Sequence, residues 1–110
     1  MIEQQLGQLR PANTTAASLY SPGASEIAVI KTIVICNTIS TPVKFRIFVD
    51  DNGTTYDETT ALFFDTSIGG NTSVQLDTFY AMDDATGNLA VRTDTANALN
   101  FTAFGAVIDV

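Results

Sequence analysis

The sequence contains no histidine, no tryptophan and only one cysteine. Without histidine the chain lacks the most common general base and the most common zinc ligand, which excludes Ser-His-Asp and Cys-His catalytic arrangements. The single cysteine, Cys36, cannot form an intrachain disulfide, and its apolar surroundings in the sequence are typical of a small buried side chain. Gly69-Gly70 lacks the Lys-Ser/Thr pair of a phosphate-binding loop. We therefore predict no enzyme activity, no cofactor and no metal centre.

Charge is also scarce, because charged residues make up only 15% of the 110-residue chain. Five basic residues stand against twelve acidic ones, for a net charge of −7. Binding to a phosphate backbone needs clustered lysine and arginine, so this balance argues against direct nucleic-acid binding. No apolar run reaches the roughly 20 residues of a membrane-spanning helix, and the first residues do not resemble a signal peptide. We expect one domain that needs neither a membrane nor a nucleic acid as a direct partner.

The most prominent positive feature is the β-branched segment Glu26–Asn37. β-branched side chains favour strands over helices. Strict alternation would place one apolar set on one side and a second set on the other, so we predict a central strand covered on both faces. The first set is Ile27, Val29, Ile33 and Ile35, and the second is Ala28, Ile30, Thr32, Val34 and Cys36.

Short alternating segments separated by turn signals occupy most of the remaining sequence. Turn signals include Pro22-Gly23, Asn52-Gly53 and Gly69-Gly70. Gly105 predicts a bend or bulge near the end of the chain. The other predicted strands are residues 14–20, 43–49, 61–65, 72–80, 89–92, 98–104 and 106–110. This pattern predicts an all-β fold, a two-sheet antiparallel β-sandwich of the jelly-roll type, with an immunoglobulin-like sandwich as the alternative.

Residues 1–13 are polar and rich in glutamine, and Gly7 and Pro11 disfavour a helix. We predict an extended N-terminal arm over residues 1–13, followed by the sandwich domain over 14–110. Leu6 and Leu9 are the candidate anchors of this arm on a neighbouring subunit. On this interpretation, removing the arm would leave the sandwich folded.

The aromatic residues and the acidic loops are the remaining candidates for contacts. Aromatic residues are enriched at the centres of interfaces. Two acidic loops, residues 50–60 and 83–88, are interpreted as solvated turns, with a weak cation site as the alternative. We predict that Tyr20, Phe48, Tyr56 and Tyr80 are exposed contact residues, and that the core contains Phe45, Phe63 or Phe64, Phe79, Phe101 and Phe104.

Several short motifs, in their order and spacing, resemble a group of small virion proteins of tailed bacteriophages. They are residues 19–23 (LYSPG), 33–37 (IVICN), 45–47 (FRI), 62–65 (LFFD) and 99–105 (LNFTAFG), preceded by Leu6-Gly7-Gln8 and Pro11. The resemblance implies a jelly-roll-like protein of the phage particle, assembled in the host cytoplasm. It implies a capsid cement or decoration protein that binds and stabilises the shell of the major capsid protein, often as a homotrimer. The group has no catalytic residues to transfer to this chain.

Two other functions remain open at this point. The same resemblance fits a tail, baseplate or fibre protein, whose partners would be other virion proteins. A carbohydrate-binding module could use the acidic loops and exposed tyrosines, although the chain lacks tryptophan, which often stacks on sugars.

Overall fold

The computed structural model describes residues 2–109, in which eight β-strands and no α-helix are present. No helix in this part of the chain could span a membrane. Met1 and Val110, which fall in the predicted arm and the last predicted strand, lie outside the described residues. The strands are β1 (Ile2–Leu9), β2 (Ala17–Tyr20), β3 (Glu26–Asn37), β4 (Val43–Asp50), β5 (Ala61–Ile68), β6 (Ser73–Met82), β7 (Asn88–Thr93) and β8 (Leu99–Asp109).

The strands form two four-stranded sheets with the orders β1-β8-β3-β6 and β2-β7-β4-β5, which we call sheet 1 and sheet 2. All pairings are antiparallel. The pairs are β1 with β8, β2 with β7, β3 with β6 and β4 with β5, which is the pairing of one long hairpin that has been rolled into two layers. This is the arrangement of a jelly roll, so the predicted fold class is confirmed.

The core lies between the two inner faces and is formed by apolar side chains of both sheets. Phe101 from sheet 1 meets Phe45 from sheet 2 edge to face, with ring centroids 6.4 Å apart. Both rings are buried, as predicted. Phe63 packs against Phe45 at 6.1 Å, whereas its neighbour Phe64 is exposed on the opposite side of the strand.

The central strand β3 contains a register shift between Ile30 and Thr32. Lys31 is the additional residue, so Ile30 and Ile33 both face the core, although they are three residues apart. The predicted faces are therefore wrong beyond this point: Ala28 and Ile30 lie on the same side as Ile33 and Ile35. A one-residue slip moves every later side chain to the other face of the sheet, and strict alternation cannot anticipate it.

The shift in β3 lies opposite Phe104 and Gly105 of β8, and β1 has its own shift, at Leu6, opposite Ala103 and Phe104. The predicted irregularity near Gly105 therefore exists, but the extra residues belong to the two neighbouring strands while β8 continues unbroken. A Cβ on Gly105 would lie 1.9 Å from the Val29 carbonyl oxygen and 3.0 Å from Leu6 Cδ1. Glycine at this position gives both neighbouring strands the space to bulge.

The structure differs from the predicted division of the chain, because residues 2–9 form β1, an edge strand of sheet 1. The segment is extended, as expected, but it pairs with β8 from Ile2 to Leu9. Leu6 and Leu9 pack against the core of their own chain. The pairing supplies the first of the eight strands that the jelly roll requires.

Candidate interaction surfaces

Three of the five basic side chains share the outer face of sheet 2. Arg46 of β4 and Arg92 of β7 are directly opposite each other in the strand pairing. Lys44 lies two residues before Arg46 and so projects from the same face. Like charges at directly opposed positions destabilise a sheet unless another group compensates them. Repulsion between these positive charges therefore destabilises this part of sheet 2 unless a negative group lies nearby.

Asp65 of β5 supplies part of the compensation. Its carboxylate accepts hydrogen bonds from Arg46 Nε at 2.7 Å and Arg46 Nη2 at 3.1 Å, the bidentate geometry that suits a guanidinium. The bond to Arg46, together with the positive charges of Arg46, Lys44 and Arg92, lowers the pKa of Asp65. Asp65 has a φ of 53°, a left-handed conformation that aspartate tolerates better than most residues. The Arg46 guanidinium also lies 3.8 Å from the centroid of the Phe64 ring.

The cluster encloses a shallow recess of about 70 Å³. Arg92 Nε donates to the Thr14 carbonyl oxygen at 2.7 Å, and the Lys44 backbone N–H donates to Asp94 at 3.1 Å. In the part of the chain that is described, neither Lys44 nor Arg92 forms an ion pair. We call this site the basic recess; it is lined by Lys44, Arg46, Asp65, Arg92, Thr93 and Asp94.

The two acidic loops come together at one end of the sandwich, although they are far apart in sequence. Gly87 lies so close to Asp51 that a Cβ on the glycine would be 2.3 Å from the Asp51 carbonyl oxygen. Ser21 Oγ donates to the Gly87 carbonyl oxygen at 2.5 Å, which adds the 21–26 loop. The three loops contain seven of the twelve acids and no lysine or arginine. We call this the acidic end; its acids are Glu26, Asp50, Asp51, Asp57, Glu58, Asp83 and Asp84.

Two of these carboxylates accept hydrogen bonds within the turns that contain them. Asp84 accepts hydrogen bonds from the Thr86 backbone N–H and hydroxyl, and Asp57 accepts the same pair from Thr59. These bonds lower the pKa of Asp84 and of Asp57. Within residues 2–109 no group of three or more acidic or cysteine side chains converges to hold a metal ion. The structure thus places the two loops together as hydrogen-bonded turns.

The outer face of sheet 1 carries exposed apolar side chains. Phe79 of β6 is 76% exposed, and Phe104 and Ile108 of β8 are partly exposed. Phe104 pairs with Thr32, which pairs with Asp77, and Phe79 is two residues from Asp77, so the two rings share one face. We call Phe79, Phe104 and Ile108 the apolar face.

One ion pair crosses this face. Lys31 of β3 reaches over β8 to Glu3 of β1, with Nζ 3.0 Å from the carboxylate. Ala106, which pairs with both Val29 and Glu3, lies beneath the path of this bridge and is fully buried. The lysine that interrupts the alternation of β3 therefore also ties the edge strand β1 to the centre of the sheet.

The six predicted contact residues are more buried than the sequence suggested. Leu6, Leu9, Tyr20 and Tyr80 pack against the core, each with part of its surface exposed. Phe48 is fully buried, which corrects the expectation of exposure, because Tyr56 covers it with the ring centroids 6.1 Å apart. Burial raises the pKa of all three tyrosines; nearby Glu26 adds to the effect at Tyr20, and Asp50 does so at Tyr56. Their proposed role in partner binding stays a prediction.

Phe79 and Phe104 were expected in the core, and the structure corrects both. Val74 and Leu76 face inward, and the same alternation along β6 puts Thr78 and Tyr80 inside and Phe79 outside. The alternation of β6 in the sequence thus indicates an exposed Phe79, whereas the hydrophobicity of the side chain suggests a buried one. The basic recess had no such signal, since only the pairing of β4 with β7 brings Arg46 and Arg92 together.

No protein-family model matches this sequence, and no curated protein matches it. Among solved structures, the chain is similar to a chain in the structure of infectious bursal disease virus, Gx strain, with 9% identity and a TM-score of 0.46. A chain from the Gt strain of the same virus gives 11% identity and a TM-score of 0.38. The alignments cover 97% and 96% of this chain but only 29% of each viral chain. Neither match identifies a family for this chain.

Proposed function

We propose that this chain is a structural protein of a virus particle rather than an enzyme, and specifically a capsid cement protein of a tailed bacteriophage. In this role it binds the shell of the major capsid protein and stabilises it. The motifs that resemble small phage virion proteins, from residues 19–23 to 99–105, support the assignment. The jelly-roll arrangement is in keeping with it, since viral capsid domains use this architecture.

The exposure of Phe79 is the observation that carries the proposal. A phenylalanine that is 76% exposed on a folded sandwich loses apolar contact with water when a partner covers it. Phe104 and Ile108 extend the apolar surface on the same sheet, and Thr and Ser side chains are frequent around it. An apolar patch with a polar rim is the composition of a protein–protein interface. The apolar face is therefore the proposed contact with the shell.

A repeated shell also suits a small, weakly binding domain. Each copy contributes one modest contact, and many copies on one lattice add their contributions. The net charge of −7 keeps the protein away from the nucleic acid inside the shell, because like charges repel. The proposed partners are the major capsid protein and further copies of this chain.

The location of the protein in purified phage particles tests the assignment. Gold-labelled antibodies against the chain should decorate the shell. Label confined to the tail or baseplate would replace the cement role with the alternative tail or fibre role. A particle without any label would overturn the virion assignment altogether.

The contact surface is tested by rebinding the purified chain to shells that lack it. Phe79→Ser should weaken binding at least tenfold, because it removes the most exposed aromatic ring of the apolar face. Leu62→Ser is the matched control, since Leu62 is 48% exposed on sheet 2. Both variants should fold like the unmodified protein, because exposed substitutions change stability by only about 0.5 kcal/mol. Equal binding by the two variants would rule out the apolar face as the contact.

A further inference from the structure

We propose that the basic recess is the docking site for the acidic end of a second copy of this chain. The contact joins the outer face of sheet 2 on one copy to the loop end of the next, so it is heterologous. It does not depend on the proposed cement function and can be tested with the isolated protein.

The recess holds more positive charge than its own chain neutralises. Lys44, Arg46 and Arg92 contribute three positive charges, while Asp65 and Asp94 contribute two negative ones. Arg46 is satisfied by Asp65, but Lys44 and Arg92 have no ion pair within residues 2–109. The residues outside the recess comprise ten acids and two bases, a net charge of −8. The recess is thus a positive site on an otherwise strongly negative surface.

The recess has room for a carboxylate group. Its volume of about 70 Å³ is several times what one water molecule needs. Lys44 and Arg92, which form no ion pair within residues 2–109, offer charge-assisted hydrogen bonds to such a group. A carboxylate on a projecting loop therefore fits the site chemically and sterically.

Asp50 of the same copy lies too far along its strand to enter the recess. Asp50 is four residues along β4 from Arg46, a separation of about 13 Å at the rise of an extended strand. This distance exceeds the screening length of about 8 Å at physiological salt. Asp50 therefore leaves the recess of its own copy open to another carboxylate. Asp51 and Asp83 are exposed on the acidic loops and are the carboxylates that would enter. Glu58 differs from them, because the pKa of Arg46 in the same copy is raised by the hydrogen bond to Asp65 and also by the negative charge of Glu58.

A heterologous contact has a predictable consequence for assembly. Each copy donates one acidic end and offers one recess, so copies add head to face and form a ring if the rotation between them closes, or an open filament if it does not. A closed ring of three would be the homotrimer that the sequence resemblance implies. On a shell, neighbouring copies would be held in register by the same contact.

The test uses nitrogen-15 NMR spectra of the full chain at rising protein concentration in about 0.1 M salt. Amide signals around Lys44, Arg46 and Arg92 and in the acidic loops should shift together as copies associate. Lys44→Glu alone and the double variant Asp51→Lys/Asp83→Lys alone should each weaken self-association about tenfold or more, because each creates like-charge repulsion in the contact. Matched controls carry the same charge change on the exposed face of β6: Ser73→Glu/Gln75→Glu for the first and Ser73→Lys/Gln75→Lys/Asp77→Lys for the second.

Mixing the two impaired variants gives the decisive result. Labelled Lys44→Glu protein should shift only in its acidic loops when the unlabelled double variant is added. The labelled double variant should shift only around its recess when the unlabelled Lys44→Glu protein is added. Absence of these shifts, shifts on the same surface of both variants, or equal effects of the control variants would overturn the proposal. A recess that shifts with added acetate or phosphate but not with protein concentration would also overturn it, because the occupant would then be a free anion.

Discussion

Gly105 is the residue on which the irregular centre of sheet 1 depends. Its φ is not in the left-handed region, so the requirement for glycine is one of space. We expect Gly105→Ala to lower the free energy of unfolding by about 1–3 kcal/mol, because the new methyl group would overlap the Val29 carbonyl oxygen and press on Leu6. Chemical unfolding in urea measures the difference.

Gly69→Ala is the matched control for this substitution. Its added Cβ would lie 3.5 Å from the Thr72 hydroxyl oxygen, which is an ordinary van der Waals contact. We expect its free energy of unfolding to stay within about 0.5 kcal/mol of the unmodified protein. If the two variants were equally stable, the bulges of β1 and β3 would not need the empty space at Gly105.

Single residues also mark where prediction from sequence succeeded and failed. The prediction of Phe45 in the core is confirmed, because residues 43–47 alternate between the two faces of β4 and this strand pairs with β7 without a register shift. Strict alternation failed on β3 because Lys31 adds a residue to the strand, and nothing local distinguishes a bulged lysine from one in register. The prediction that Phe79 lies in the core is wrong because it rests on the hydrophobicity of the side chain, whereas the alternation of β6 places Phe79 outside. Bulges are set by neighbouring strands, so they are not encoded in the segment that contains them.

Among the strands, β1 gives the clearest test of how much an edge strand contributes to the free energy of unfolding. Leu6 and Leu9 pack against the core, whereas Gln5 and Gln8 of the same strand are exposed. We expect Leu6→Ala/Leu9→Ala to lower the free energy of unfolding by about 2–4 kcal/mol in total, since it removes partly buried apolar contacts. The control Gln5→Ala/Gln8→Ala should change it by less than about 1 kcal/mol.

The same measurement distinguishes a strand from an arm. If the leucine variant unfolded at the same urea concentration as its control, residues 2–9 would be an arm, as first expected from their polar composition. In the structure β1 covers one edge of β8, so removing the segment would also expose unpaired backbone groups. The sequence pattern missed β1 because only two of its apolar side chains, Leu6 and Leu9, reach the core, and Leu6 is the additional residue at a register shift.

Most other strands were predictable because turn chemistry delimits them. β3 begins and ends at the residues predicted, and β4 begins at the predicted Val43 and ends one residue later than predicted. β5 runs three residues beyond its predicted end, through the polar residues 66 and 67, because pairing with β4 stabilises an edge strand that periodicity alone does not reveal. The positions of these strands can thus be predicted from the turn residues between them, whereas their lengths depend on the neighbouring strands with which they pair.

At the scale of the whole molecule, charge is segregated into an acidic end and a basic recess, and three carboxylates link this pattern to stability. The pKa values of Asp57, Asp65 and Asp84 are lowered in the folded protein by hydrogen bonds from Thr59, Arg46 and Thr86 respectively. A carboxyl group with a lowered pKa binds fewer protons when folded than when unfolded. Its stabilising contribution is therefore complete above the unfolded pKa near 4 and is lost as the pH falls through the lower, folded pKa.

We accordingly expect the free energy of unfolding to be nearly constant from pH 7 to about pH 5 and to fall steadily below about pH 4. Asp84→Asn should be less stable than the unmodified protein at pH 7, and the difference should narrow as the pH falls through the lowered pKa of Asp84 and its carboxylate is neutralised. Asp83→Asn is the control, because it removes one charge from the same loop, while Asp83 accepts no side-chain hydrogen bond within the described residues. Urea unfolding at several pH values gives each curve. A difference between Asp84→Asn and the unmodified protein that does not change between pH 7 and the acid end of the series would show that the carboxylate charge does not stabilise this turn.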